Sequence, residues 1–111
     1  MSVCNISDRR CLPCEGGVPP LSEAEVATLL KDLPEWKLVG KRIERNFVFG
    51  NHYEAMAFVN AVAWVSHRQD HHPELKIGYK DCLVSYLTHA IDGLSENDFI
   101  CAAKVDRLLD I

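Results

Sequence analysis

Between Leu21 and Leu109 the hydrophobic pattern alternates between the helical and the strand period, and this succession constrains the fold more than any other feature. Ser22 and Glu25 are spaced as a capping box. Val26, Leu29, Leu30 and Leu33 then follow at i, i+3, i+4 and i+7 until Pro34 forbids another turn. From Trp36 the period becomes two, with Ile43, Phe47 and Phe49 on one face and Arg42, Glu44 and Asn46 on the other. Gly40-Lys41 separates this run from Trp36 to Val39 as a hairpin turn would. Asn51 is placed to cap a second helix, whose apolar positions Ala55, Phe58, Val59, Val62 and Ala63 lead toward Asp70, with Pro73 bounding its end. The runs Leu75 to Tyr79 and Cys82 to Thr88, meeting at Lys80-Asp81, predict a second hairpin. A last helix beginning near Ser95 buries Cys101, Ala102, Val105, Leu108 and Leu109. The order α-β-β-α-β-β-α predicts an α+β fold, a four-stranded antiparallel sheet with helices packed on one face. The final strand carries apolar residues on both sides, Val84 and Tyr86 against Leu83 and Leu87. It is therefore either buried centrally or part of a subunit interface.

With 111 residues the chain supports one core, so residues 21–111 are expected to form a single domain. Residues 1–20 have no hydrophobic period and contain Gly16-Gly17 and Pro19-Pro20, and they read as an N-terminal arm outside the core. The net charge of -4, from 12 basic and 16 acidic residues, argues against a sequence-independent nucleic-acid binder, which needs a basic face to displace phosphate counterions. No apolar run approaches the ~20 residues that span a bilayer, and Met1 to Arg10 lacks the apolar stretch of a secretory signal. A cytoplasmic protein without membrane or direct nucleic-acid partners is expected. Five cysteines is an odd number, and only Cys4, Cys11 and Cys14 lie together, so a secreted disulfide framework is not expected. The Cys11-Leu12-Pro13-Cys14 spacing fits a redox pair, half of a zinc site completed by Cys4 and a further ligand, or an incidental arm.

Four of the five histidines, His67, His71, His72 and His89, fall between positions 67 and 89. Imidazole, with an ordinary pKa of about 6.5, both gives and takes protons near neutrality. His71-His72 sit where the central helix stops and His89 where the last strand ends, so a cleft between strand end and helix end would gather them. Adjacent histidines point in divergent directions, and none of the spacings resembles the H-E-x-x-H pattern that sets two zinc ligands on one helical face. Proton transfer without a metal is the expectation.

The run from His67 to Asp98 resembles the pterin-4a-carbinolamine dehydratases. That family's pattern is an acidic or basic residue, three residues, His-His-Pro, five residues, an aromatic, nine residues, His, eight residues and Asp. Here the positions are His67, His71-His72-Pro73, Tyr79, His89 and Asp98, and Thr88-His89-Ala90 and Leu33-Pro34-Glu35-Trp36 are also similar to the family. The resemblance implies a dehydratase that converts 4a-hydroxytetrahydropterin to quinonoid dihydropterin and water, with no cofactor, as a homodimer or homotetramer. It assigns His71 and His89 to proton transfer and His72 to substrate binding with participation in catalysis. It also brings Asp98, Tyr79 and His67 toward the substrate site. Asp98 could orient a histidine, while Ser95 to Asp98 equally spells a capping box. His67 stands where many relatives carry Glu and cannot supply a fixed negative charge. A non-catalytic pterin-binding or dimerisation module, including a molybdopterin-linked one, is the alternative function.

Overall fold

The computed structural model describes residues 6–12 and 19–110. Cys4 and Cys14 lie outside the described residues, and with them the Cys-x-x-Cys and zinc readings. Three helices, α1 (Glu23–Leu30), α2 (His52–Gln69) and α3 (Glu96–Arg107), alternate with the hairpins β1 (Lys37–Val39) with β2 (Arg42–Val48) and β3 (Glu74–Ile77) with β4 (Asp81–Tyr86). The sheet order is β1-β2-β4-β3 with every neighbour antiparallel, the expected α+β architecture.

The helix starts are where the capping residues set them. The Ser22 hydroxyl accepts from the Glu25 amide at 3.2 Å while the Glu25 carboxylate accepts from the Ser22 amide at 2.9 Å. Asn51 Oδ1 accepts from the Glu54 amide at 2.9 Å, satisfying an amide that the first turn of α2 leaves without a helical partner. At its other end α2 stops in a left-handed residue, Asp70 (φ 51°, ψ 42°). The His71 amide donates back to Ser66 O at 3.2 Å and the Asp70 amide to His67 O at 3.4 Å, the double closure of a Schellman end. This reversal turns the chain so that His71 and His72 leave the helix on its cleft side.

Register fixes which residues share the helix-covered face. Ile43 opposes Tyr86, Arg45 opposes Val84 and Phe47 opposes Cys82. Ile43, Phe47, Cys82, Val84 and Tyr86 are buried beneath Phe58, Val62, Phe99, Ala102 and Val105 of α2 and α3. An aromatic row runs through this core: Phe58 to Phe47 at 4.6 Å between ring centroids, Phe47 to Trp36 at 6.1 Å and Trp36 to Tyr86 at 6.0 Å. The far face of the sheet, with Val39, Val48 and Leu83 among Arg42, Glu44 and Asn46, carries no helix among the described residues.

Two expectations are corrected in detail. The second hairpin turns earlier than Lys80-Asp81: the Gly78 amide donates to Asp81 O at 2.8 Å, and Asp81 already pairs with Val48. Tyr79 is thereby in the turn, not in a strand. The arm is not wholly outside the core either. Ile6 is 7% exposed and belongs to the apolar cluster, within a short 3-10 turn, Ile6–Asp8, held against α3 by Lys104 Nζ donating to Ser7 O at 2.8 Å. An isolated apolar residue among polar neighbours has no period to betray it. Among the described residues no helix is long and apolar enough to cross a membrane.

Beyond the aromatic row, Asp106 ties α3 to the sheet. Its Oδ1 accepts from Trp36 Nε1 and from the Arg45 guanidinium, each at 2.9 Å. Burial raises the carboxyl's proton affinity, and the two donors oppose that shift. Asp106→Ala leaves a buried indole N–H and a half-buried guanidinium without a partner, and should cost about 2–4 kcal/mol of stability. The urea midpoint of the variant measures the loss, and an unchanged midpoint would contradict this role.

Candidate active site

The last strand and the start of α3 are joined so that they meet the end of α2. Beyond β4 the Thr88 amide donates to Gly93 O at 2.9 Å, closing a bridge around the short turn His89–Ile91 and leaving Asp92 left-handed (φ 48°). Gly93 has no room for a side chain, because a Cβ there would lie 2.7 Å from Pro20 Cβ. The bridge sets Thr88 against the first turn of α3.

The deepest part of the site is a buried carboxylate. Asp98, with no exposed surface, accepts from His71 Nε2 at 2.6 Å through Oδ1. Its Oδ2 accepts from the Thr88 hydroxyl at 2.7 Å and the Ser95 amide at 3.0 Å. Ser95 and Thr88 hydroxyls are 2.7 Å apart. One residue thus serves as both helix cap and histidine partner. The His71 ring also lies parallel to Tyr86, 5.9 Å between centroids and 8° between planes, so it terminates the aromatic row of the core. Ring plane and ring edge are both held, and no hydrogen-bond partner engages Nδ1 among the described residues.

Burial opposes charging of His71, but the hydrogen bond and the negative charge of Asp98 more than offset it, and the imidazole pKa is raised above its ordinary value. The imidazolium pairing therefore stabilises the fold fully below about pH 6.5, the ordinary imidazole value, and that stabilisation fades as pH rises through the raised value of His71. Following the His71 ring protons by NMR should give a midpoint above that of a free imidazole, and Asp98→Asn should lower it. A midpoint indifferent to Asp98→Asn would contradict the pairing.

His72 and His89 stand at the mouth, exposed and nearly parallel, with ring centroids 6.3 Å apart. They and His71 line an open cleft of about 680 Å³ together with Thr88, Leu87, Arg68, Gln69, Asn97 and the arm residues Arg10, Cys11 and Leu12. That volume suits a bicyclic small molecule. Among the described residues no group of three or more His, Cys, Asp or Glu side chains is arranged to hold a metal ion.

The expected site residues do not all meet. His71, His72 and His89 share the cleft, and Asp98 lies behind His71 without reaching its surface. His67 packs against Trp64, 5.5 Å between rings, and is not in the cleft lining; it lines a shallower neighbouring groove, which His71 and His72 also border, with Ser66, Pro73 and Leu75. Tyr79 is 75% exposed and stacks on His52 at 5.4 Å, outside the cleft. Thr88, Tyr86 and the arm residues were not singled out for the site by sequence reasoning. Thr88 is the nearest to a visible signal, since it precedes His89 and can donate a hydrogen bond.

Comparison with known proteins identifies the family of the chain. Residues 19–108 match the family model described as pterin 4 alpha carbinolamine dehydratase. A Dechloromonas aromatica protein provisionally named a pterin-4-alpha-carbinolamine dehydratase is 64% identical over 108 residues, covering 97% of this chain and 96% of that protein. One from Nitrosomonas eutropha with the same provisional name is 62% identical over 109 residues, covering 97% and 96%. The crystal structure of a transcriptional coactivator/pterin dehydratase from Brucella melitensis superposes with a TM-score of 0.77 at 31% identity, covering 80% of this chain and 97% of that one. A pterin dehydratase-like protein identified as a RuBisCO assembly factor in the alpha-carboxysome gives 0.59 at 28% identity, covering 67% and 88%. With its fold and nearly its whole length matched in this way, the chain belongs to the pterin 4 alpha carbinolamine dehydratase family.

Proposed function

We propose that the cleft dehydrates 4a-hydroxytetrahydropterin to quinonoid dihydropterin. The observation that carries this reading is the Asp98-held His71 facing the His72 and His89 pair across a cleft of small-molecule size. Hydroxide is a poor leaving group, so the C4a hydroxyl must receive a proton as its bond breaks. The N5 proton must go to a base as the C4a=N5 bond forms. His71, whose charged form Asp98 favours, is the acid through its Nδ1. His89, at the open side, is the base, and His72 stacks against the pterin and helps to hold it. Asp98 and Thr88 act through His71 and touch no substrate. The reaction calls for no metal or cofactor.

A homodimer or homotetramer in the cytoplasm goes with this reading, and the uncovered sheet face with Val39, Val48 and Leu83 supports self-association. The carboxysomal assembly factor among the structural relatives favours a second reading, a module of this fold that binds a protein partner with little turnover. The intact His71-Asp98-Thr88 unit favours the enzyme for this chain. Titrating a stable dihydropterin into the protein while recording histidine NMR resonances tests the site. Shifts concentrated at His71, His72 and His89 are expected, and shifts confined to His52 or His67, or none, would overturn the assignment.

A further inference from the structure

The segment Ile6–Leu12 places a thiol beside the histidine site. Cys11 Sγ lies 3.4 Å from Cys101 Sγ, although 90 residues separate them in the chain. Cys11 is half-buried at the cleft wall, and Cys101 is fully buried in α3 with its sulfur 3.9 Å from His71 O. The contact is held from both sides. The Cys11 amide donates to Gln69 Oε1 at 2.9 Å at the end of α2, and Leu12 exchanges hydrogen bonds with the Asn97 side chain at 3.0 and 2.5 Å at the start of α3. Arg9 pairs with Glu96 beside them. The two sulfurs already touch at 3.4 Å and must close to about 2.05 Å to form a disulfide.

We infer that Cys11 and Cys101 form a redox pair, which a peroxide converts to a disulfide that ties the arm to α3 across the edge of the cleft. The hydrogen bond with Cys101 and the positive charges of His71 and Lys104 favour the Cys11 thiolate, so the Cys11 pKa is lowered although burial works against it. Cys101 is shifted the other way, by the same hydrogen bond first and by burial second, and keeps its proton. The two thiols therefore have different roles. The Cys11 thiolate attacks the peroxide: an S–O bond forms, the O–O bond breaks, and the departing oxygen leaves as water once protonated. The Cys101 sulfur then attacks the sulfenic sulfur, its proton leaving with the hydroxyl as a second water. Two thiols lose two electrons in all and the peroxide becomes two waters. Oxidation also removes the Cys11 negative charge that helps to raise the His71 pKa, so the thiol state reaches the histidine at the cleft.

The test is peptide mapping of the full chain after exposure to hydrogen peroxide and quenching with an alkylating agent, beside a sample kept in dithiothreitol. The expected result is a peptide pair joined through Cys11 and Cys101, a loss of two of the five alkylatable thiols, and full reversal by dithiothreitol. The same link should persist in Cys14→Ser, and the His71 NMR midpoint should fall on oxidation. Cys11 joined to Cys14 or Cys4, Cys11 driven to sulfinic acid without a bridge, or both thiols still alkylated would overturn the inference. The wild-type map requires no folded Cys101 variant. No pterin enters the measurement, so its outcome is independent of the dehydratase reading.

Discussion

Replacing His71 and His89 by alanine together should reduce dehydration to the rate in buffer. Each well-placed proton transfer contributes roughly 100- to 10,000-fold, and this reaction needs two, one to the departing hydroxyl and one from N5. Neither can be supplied from the other's side of the cleft, since His71 is anchored inward on Asp98 and His89 stands at the mouth against His72. The single variants should each lose at least the lower figure, and the double should lose less than the product of the two if the transfers are concerted. His72→Ala should instead raise KM more than it lowers kcat if, as proposed, it holds the ring. Stability should change little for His89 and His72, both exposed, so circular dichroism of these variants separates lost chemistry from lost fold.

Asp98→Asn has the second largest effect, and it acts without touching substrate. The side chain keeps its shape, but the charge that holds the His71 proton is gone, while burial of His71 remains. A hydrogen bond to a charged group is worth about 1.5–3 kcal/mol, so turnover should fall roughly 10- to 100-fold. The diagnostic change is in the pH profile. Activity of the wild type should decline as pH rises through the raised His71 value, and in Asp98→Asn that decline should begin at lower pH. A loss of rate with an unmoved profile would mean that Asp98 serves only the fold. Asp98→Ala is the harsher change. It leaves His71 and the Ser95 amide without their partner and the Thr88 hydroxyl with Ser95 alone, and should destabilise by about 1–3 kcal/mol for each group left unsatisfied in the interior.

These residues differ in how visible they were beforehand. Ser22, Asn51 and Ser95 announce the helix starts through local chemistry, and the period-two run Arg42 to Val48 announces a strand, because both signals are written within a few residues. The Asp98 partnership spans 27 residues and was visible only as the spacing of a family pattern, which names His71, His89 and Asp98 without saying which two touch. Tyr79 shows the limit of that pattern. Its place in the spacing is real, yet Gly78 and Asp81 close the turn around it and put its ring on His52. Ile6 and Cys11 were hidden for another reason. Their partners in α3 lie some 90 residues away, and proximity at that range follows from the packing of the whole domain, which no local period records.

The reaction itself is the most direct test. Freshly generated 4a-hydroxytetrahydropterin loses water spontaneously with a change in ultraviolet absorbance, and stopped-flow mixing with the protein reads the added rate. The account predicts acceleration proportional to wild-type protein concentration and none from the double histidine variant. A wild-type protein that is folded, binds dihydropterin and is no faster than buffer would contradict it.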